Sequence, residues 1–444
     1  MNWPTAEELW ATAIISGLYL LAFGLAFAMR NLFPNRKELS RKTVHLLGGL
    51  ISLSFPFYIH NWILPAILCT VFLLAMTLTR SAKWMEMVHG IDRDSLGAFL
   101  FPVAVFLMYI LAADKPAFYV VGILVLALSD TVAALVGKRY GIVKFELEEN
   151  IKSLEGTFSF TVVTYIAIQT PLLLMTSMEP LQIILISLVA AWIVTGFELI
   201  SLWGSDNLFI PLGTYYIVER MSGYSLAVNW ESVLWLVLAP TLTWLIFGWI
   251  KTLKVSYKIT LAMFNFATLA LVGNLWPIPA LLFQILLGVS AWYYIKKNGQ
   301  APFQVKYVLY LSAIPTILMF TAAAMSDVRS LLPAFIMALS CQGAWLSFDL
   351  FFPKTTKDCF RKFHWKALWA LGSFALIALF PVALILGWEA LLPVALGCSV
   401  AFGLQEILIR IPTLSRFPAL TRNTSVVAGL VPIILPLFFA GVQL

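Results

Sequence analysis

Charged side chains are scarce in this chain. Only 11% of its 444 residues are Asp, Glu, Lys or Arg, against 61% hydrophobic, whereas soluble domains are about a quarter charged and about half apolar. A soluble globular class is therefore excluded. Cysteine is also sparse. Cys69, Cys341, Cys359 and Cys398 have no paired spacing, so neither a disulfide framework nor a zinc site is expected. The first ten residues, MNWPTAEELW, lack the basic start of a cleaved signal peptide, so the first apolar run is expected to stay as a span. No long polar linker separates one half from the other, and no GxxxxGK[ST] loop of the P-loop type occurs.

What remains is a series of apolar runs, each close to the ~20 residues that a spanning helix needs. They fall at 9–29, 44–60, 62–79, 96–112, 117–136, 155–175 and 181–201, then at 231–250, 259–273, 275–295, 306–325, 331–350, 367–386, 391–409 and 425–443. The runs are too long for barrel strands. The fold class expected is all-α, a polytopic integral membrane protein with roughly 15 transmembrane helices. The second run is interrupted by Pro56 and reads as tilted or kinked. Two parts are expected, a membrane domain over 1–255 and a second multi-span domain of unassigned role over 256–444.

The net charge of +7 reads as topology rather than as nucleic-acid binding. With the N-terminus outside, twelve of the thirteen Lys and Arg residues before residue 155 fall in cytoplasmic loops, Lys115 being the exception, which follows the positive-inside rule. Loops 30–43, 80–95 and 137–154 then share the cytosolic face. The rule breaks after residue 250, where Lys251, Lys254 and Lys258 would lie outside. The 207–226 segment is read as an interfacial or re-entrant piece packed against protein.

One loop reads as chemistry. Ser129–Thr157, SDTVAALVGKRYGIVKFELEENIKSLEGT, leaves one apolar run with Asp130 and enters the next with Lys152 and Glu155. Asp130 alone reads equally well as an interfacial acid meeting water. With Glu155 it could bind magnesium, which takes one or two carboxylates plus substrate phosphates. Lys152 and Glu155, three apart, could instead form a helical ion pair. Gly137 and Gly141 flank Lys138-Arg139 and would allow positive φ and close backbone approach to an anion. Gly156 would leave backbone donors free at a helix start. Arg41 and His45, four apart beside Lys42, share a helix face and could hold phosphate while His45 helps to remove a proton. Arg93 offers a planar fork to phosphate. Glu198 lies inside an apolar run, where an acid is functional by default, and Asp206-Asn207 follow just beyond.

In this order the residues resemble the polyprenol kinase family, dolichol kinase and phytol kinase, distant relatives of the CTP-using phosphatidate cytidylyltransferases. The resemblance covers about residues 36–215. It rests on RKTVH at 41–45, RDSLG at 93–97, SDTVAALVGKRYG at 129–141, KSLEGT at 152–157 and DNLFIPL at 206–212. It implies that Asp130, Gly137, Lys138, Gly141, Lys152 and Glu155, with Ser153 and Gly156, bind CTP and its metal. Arg41, Lys42, Arg93, Glu198, Asp206 and Asn207 would then handle phosphate or substrate. The spacer Glu146-Leu147-Glu148-Glu149 is more acidic than a triphosphate neighbour should be, and nothing after 255 has a counterpart. The cytidylyltransferase signature is absent from the C-terminal part, which argues against nucleotidyl transfer.

The expected activity is transfer of the γ-phosphate of CTP, with Mg2+, to the hydroxyl of a membrane isoprenoid alcohol, His45 or Asp130 taking the proton. The membrane would be a bacterial inner membrane, or an organellar or ER membrane. A lipid transporter or flippase is the rival, as is a kinase fused to a lipid-handling membrane domain. The charge asymmetry has a direct test in a chain whose native cysteines are replaced by serine. A cysteine at Lys138 should react with an impermeant thiol reagent only from the cytosolic side, and one at Asp114 only from the other. Labelling of both from one side would refute the topology.

Overall fold

The computed structural model describes residues 3–33, 37–78, 96–147, 151–273, 275–299, 305–325, 327–351, 390–408 and 418–439, with single positions 387, 411, 413 and 414. The chain forms two compact units, Met1–Val233 and Leu234–Leu444. In the first unit the helices are α1 (Ala6–Leu32), α2 (Lys37–Ser52), α3 (Phe55–Tyr58), α4 (Ile63–Leu78), α5 (Gly97–Ala112) and α6 (Pro116–Tyr140). They are followed by α7 (Leu154–Met175), α8 (Pro180–Ile200) and α9 (Asp206–Ser222). Helix α10 (Leu226–Phe247) carries the boundary. The second unit holds α11 (Val255–Ala267), α12 (Pro277–Asn298), α13 (Val305–Ala324), α14 (Leu332–Phe351), α15 (Leu391–Leu408) and α16 (Pro418–Phe439).

Among the described residues nine helices are long and apolar enough to cross a membrane, and three apolar helices are shorter. The all-α membrane class holds, while the described residues do not confirm the count of about fifteen spans. The expected 44–60 span is instead α2 followed by a turn and the four-residue α3, with Pro56 opening α3. The 367–386 run lies outside the described residues. One small departure from all-α is a two-stranded antiparallel ribbon, β1 (Lys144–Glu146) with β2 (Ile151–Ser153), in register Lys144 opposite Ser153.

Helix α6 is the hub of the first unit. Pro116 opens it, where the missing N–H costs nothing, and Tyr119, Val121, Ile123, Val125, Leu126 and Ala127 are fully buried. A helix apolar on every side is one surrounded by others, and α6 packs against α2, α5, α7 and α9. Its contact with α2 is antiparallel and close. Gly49 faces Ala127 so tightly that a Cβ there would collide with the alanine methyl. One turn on, the Tyr119 hydroxyl donates to the Ser52 carbonyl at 3.0 Å. Small residues permit such approach. Elsewhere Glu8, in a capping box with Thr5, also accepts from the His60 and Asn61 amides at 2.8 Å each, tying the start of α1 to the turn after α3.

The 207–226 segment is largely one helix, α9, which packs against protein as expected, on α5, α6 and α8. Asp206 starts it within electrostatic reach of Asp130. At its far end Glu219 pairs with Lys115, just before α6, at 2.6 Å, and Gln182, early in α8, donates to the Ser222 carbonyl at 3.2 Å. Its 17 residues extend ~25 Å.

In the second unit Phe335 packs on Trp276 at 4.7 Å and on Phe264 at 6.2 Å between ring centroids. Asn265 and Gln284 exchange hydrogen bonds of 3.1 and 2.8 Å inside the core, and Asn265 also donates to Thr243 at 2.9 Å. The Cys341 and Cys398 sulfurs, far apart in sequence, meet at 3.6 Å as buried thiols.

Replacing Gly49 by Ala should lower thermal stability in detergent by about 1–3 kcal/mol, the usual cost of overpacking. The obstacle is α6 itself rather than a flexible side-chain end. An unchanged melting temperature would show that α2 can shift freely.

Candidate functional site

The α2–α6 contact brings the first charges together. Lys42, His45 and Gly49 follow at three- and four-residue spacing and so share one face of α2. Lys42 Nζ lies 2.5 Å from Asp130 Oδ2, and His45 Nε2 lies 3.6 Å from the same oxygen. The Lys42 side chain is only 5% exposed, and a cation so placed is tolerable because it is paired. His45 Nε2 also sits 2.9 Å from the Leu126 carbonyl oxygen. A carbonyl can only accept, so Nε2 carries the proton and Nδ1 is the nitrogen that accepts one in the neutral ring.

The ribbon brings the second pair. Lys152 lies on β2, not on a helix, and its expected pairing with Glu155 does not form. Its Nζ instead contacts Glu198 Oε1 at 2.5 Å and the Glu198 carbonyl at 2.6 Å. It thereby neutralises the acid and caps the carboxyl end of α8, where helix carbonyls lack partners. Asp206 lies within electrostatic reach of Asp130, Lys152 and Lys42, and Glu198 within reach of Lys152, Asp130 and Asp206. Six groups from α2, α6, β2, α8 and α9 therefore form one electrostatic cluster. They are Lys42, His45, Asp130, Lys152, Glu198 and Asp206. Arg41 is exposed at its edge, its charge reaching Asp130 and His45.

Other expected site residues have structural partners. Glu155 Oε1 accepts from the Val143 amide at 3.1 Å. It braces the turn before β1, while Asp130 binds Lys42 and His45. The carboxylates in Asp130's field are Asp206 and Glu198. Ser153 caps α7 by accepting from the Gly156 amide at 3.1 Å, so that donor is engaged rather than free for phosphate. The glycines are sites of close packing, not of positive φ. Gly137 lies inside α6, and Gly141 has φ −68°. A Cβ on Gly137 would lie 3.1 Å from Ser153 Oγ, and one on Gly156 would lie 3.1 Å from Gly137 Cα. Lys138 is exposed in the last turn of α6, favourable to the helix dipole.

Asn207 donates to the Gly97 carbonyl at 2.9 Å and the Leu96 amide to the Trp203 carbonyl at 2.8 Å. The SLG and DNL stretches are thus fastened to each other. Between α8 and α9 the turn passes through Trp203 at φ 53° and Gly204 at φ 80°. A left-handed tryptophan is a strained choice of the kind found at functional sites. Arg93 lies outside the described residues. No group of three His, Cys, Asp or Glu among the described residues could hold a metal ion by itself.

The sequence reading missed the Lys42–Asp130 and Lys152–Glu198 pairings and the packing role of Gly49. Only the Lys42-x-x-His45-x-x-x-Gly49 spacing carried a signal for them.

The chain is 28% identical over 221 residues to the phytol kinase of Synechocystis sp., a match that covers 49% of this chain and 94% of that protein. This relative supports assignment to the polyprenol and phytol kinase family, the resemblance already visible in the motifs. No family model and no solved structure matches the chain.

Replacing Lys152 by Ala leaves the Glu198 carboxylate buried without its cation and should cost about 3–5 kcal/mol of stability. The double replacement Lys152→Met with Glu198→Leu should lose less than Lys152→Ala alone, because no charge is stranded. Denaturation in detergent measures both. Equal losses would mean that the pair is not coupled.

Proposed function

We propose that the first unit is a CTP-dependent kinase that phosphorylates the hydroxyl of a membrane isoprenoid alcohol, phytol, dolichol or another polyprenol. The observation that carries this reading is the convergence of Lys42, Asp130, Lys152, Glu198 and Asp206 from five elements that hold the kinase-like motifs. The match to a phytol kinase over nearly that protein's whole length supports it. Its 221 residues are close to the extent of the first unit, Met1–Val233.

Phosphoryl transfer asks a protein mostly for positioning and for neutralising charge on the transferred group. Lys42 and Lys152 are two cations held in place by acids, from which a triphosphate can draw them. Asp130 and Asp206 match the one or two carboxylates that magnesium takes in such sites, and an ion held there would help to neutralise phosphate charge. Glu155 holds the turn before β1 through Oε1, and its Oε2 has no partner among the described residues. The exposed Lys138 and Arg41 extend the positive field outward. Of the acidic spacer, Glu146 lies on the ribbon opposite Ile151. In this reading the site faces the cytosol, where nucleotide is available, and the prenyl tail lies among the apolar helices.

Membranes carrying the protein should transfer label from [γ-32P]CTP to phytol or farnesol in the presence of magnesium, and chelation should stop the transfer. Asp130→Asn should slow it by about 100-fold or more, the scale of losing one preorganised charge contact, at unchanged protein level. Transfer of α-phosphate label would mean nucleotidyl transfer. No transfer across a panel of alcohols and all four nucleoside triphosphates would refute the reading.

A further inference from the structure

Three buried polar atoms beside the cluster have no partner among the described residues, Glu155 Oε2, Glu198 Oε2 and Thr157 Oγ1, and the last two lie on helices α8 and α7, which pack together. Glu198 is 9% exposed as a residue. Its other carboxylate oxygen holds Lys152, as does its carbonyl. Buried polar atoms in native proteins are nearly always hydrogen-bonded, and an unpaired one calls for an explanation.

The Glu198 and Thr157 orphans stand at one level of the bundle. Between their helices, Thr161 of α7 is hydrogen-bonded to Thr195 of α8 at 2.9 Å. Both helices have their Asp130-side ends nearby, α7 at its start and α8 at its finish. From the threonine pair, one turn towards the start of α7 reaches Thr157, and one turn towards the end of α8 reaches Glu198. Helical spacing places i and i+3 or i+4 on one face, so the orphan hydroxyl and the orphan carboxylate oxygen belong to the same interhelical seam.

The chemistry of the orphans selects among the components of the proposed reaction. A carboxylate oxygen accepts hydrogen bonds, whereas a triphosphate offers only acceptors and negative charge. Asp130 and Asp206 already supply the carboxylates that magnesium takes in this reading. An alcohol hydroxyl has the required donor, and its oxygen can accept from Thr157. We infer that Glu198 Oε2 and Thr157 Oγ1 form the subsite for the hydroxyl of the lipid alcohol, with Glu198 as the base for its proton.

This assignment rests on the kinase reading for its chemistry, though not for its binding. In the reaction the alcohol O–H proton passes to Glu198 Oε2 as the alcohol oxygen forms a bond to the γ-phosphorus. The bond from that phosphorus to the β–γ bridging oxygen breaks, its electron pair leaving with the nucleoside diphosphate. Thr157 positions the alcohol oxygen. Glu198 then returns the proton to solvent or to the product phosphate.

The test uses the full-length protein in lipid nanodiscs with two ligands, farnesol and farnesyl methyl ether, which share a tail and an oxygen but differ in the donor proton. Thermal stabilisation across a concentration series gives both affinities. The wild type should prefer the alcohol by about tenfold or more, because a site built to hydrogen-bond a hydroxyl rejects the analogue lacking it. Glu198→Gln keeps an oxygen for Lys152 but loses an acceptor, and it should abolish the preference. Thr157→Val removes an unpaired hydroxyl, so it should leave the unliganded protein as stable or more stable while weakening farnesol binding. A merely structural threonine would show the opposite. In the kinase assay Glu198→Gln should lower kcat by about 100-fold or more with the KM for CTP within about threefold.

Equal affinity of the wild type for alcohol and ether, or stabilisation by neither, overturns the subsite whatever the activity. So does an undiminished preference in Glu198→Gln. A clear preference without transfer from any nucleotide leaves the subsite standing and overturns the kinase reading instead.

Discussion

A lysine buried to 5% exposure can exist inside an apolar bundle only if an acid meets it, and Lys42 meets Asp130. Everything else in the first unit is arranged so that this meeting happens. Gly49 has no side chain where α2 presses on Ala127, which lets the helices approach. Ser52 receives the Tyr119 hydroxyl one turn further on. His45 is fixed between them by the Leu126 carbonyl, so its tautomer is set by the packing of α2 on α6. The helix that carries Asp130 is buried on all sides, and the charge pair is therefore held in place by apolar contacts on elements other than its own.

The second charge pair has a different origin. Lys152 comes from a three-residue strand, a weak element, which is held by three connections. Its own ammonium caps the end of α8, Ser153 caps the start of α7, and Glu155 braces the turn before β1. The glycines at 137, 141 and 156 crowd around Ser153 because no Cβ fits between α6 and α7 there. A stretch that looks like a flexible phosphate loop is a tightly packed corner, and its rigidity aims Lys152 at the cluster. Preorganisation of this kind is what charge stabilisation in catalysis depends on. The turn through Trp203 and Gly204 does the equivalent for Asp206, pinned to the start of α5 through Asn207.

The sequence by itself determined the class, because the scarcity of charge and the length of the apolar runs leave few alternatives in water or in lipid. It also singled out Asp130, Lys152, Glu198 and Asp206, since an acid or cation near the end of an apolar run is costly enough to need a reason. The clustering of basic loops and the family resemblance were legible for the same local reasons. Pairings were not. Lys42 with Asp130 joins residues 88 positions apart and Lys152 with Glu198 residues 46 apart, and periodicity within one helix carries no information about which face of another it meets. Tertiary structure alone decided that Glu155 braces a turn while Asp206 shares the field of Asp130. It also decided that the glycines serve close packing rather than positive φ, and that α9 packs on α5, α6 and α8. In each case the deciding quantity was the distance between elements remote in sequence, set by how closely their side chains allow the backbones to approach.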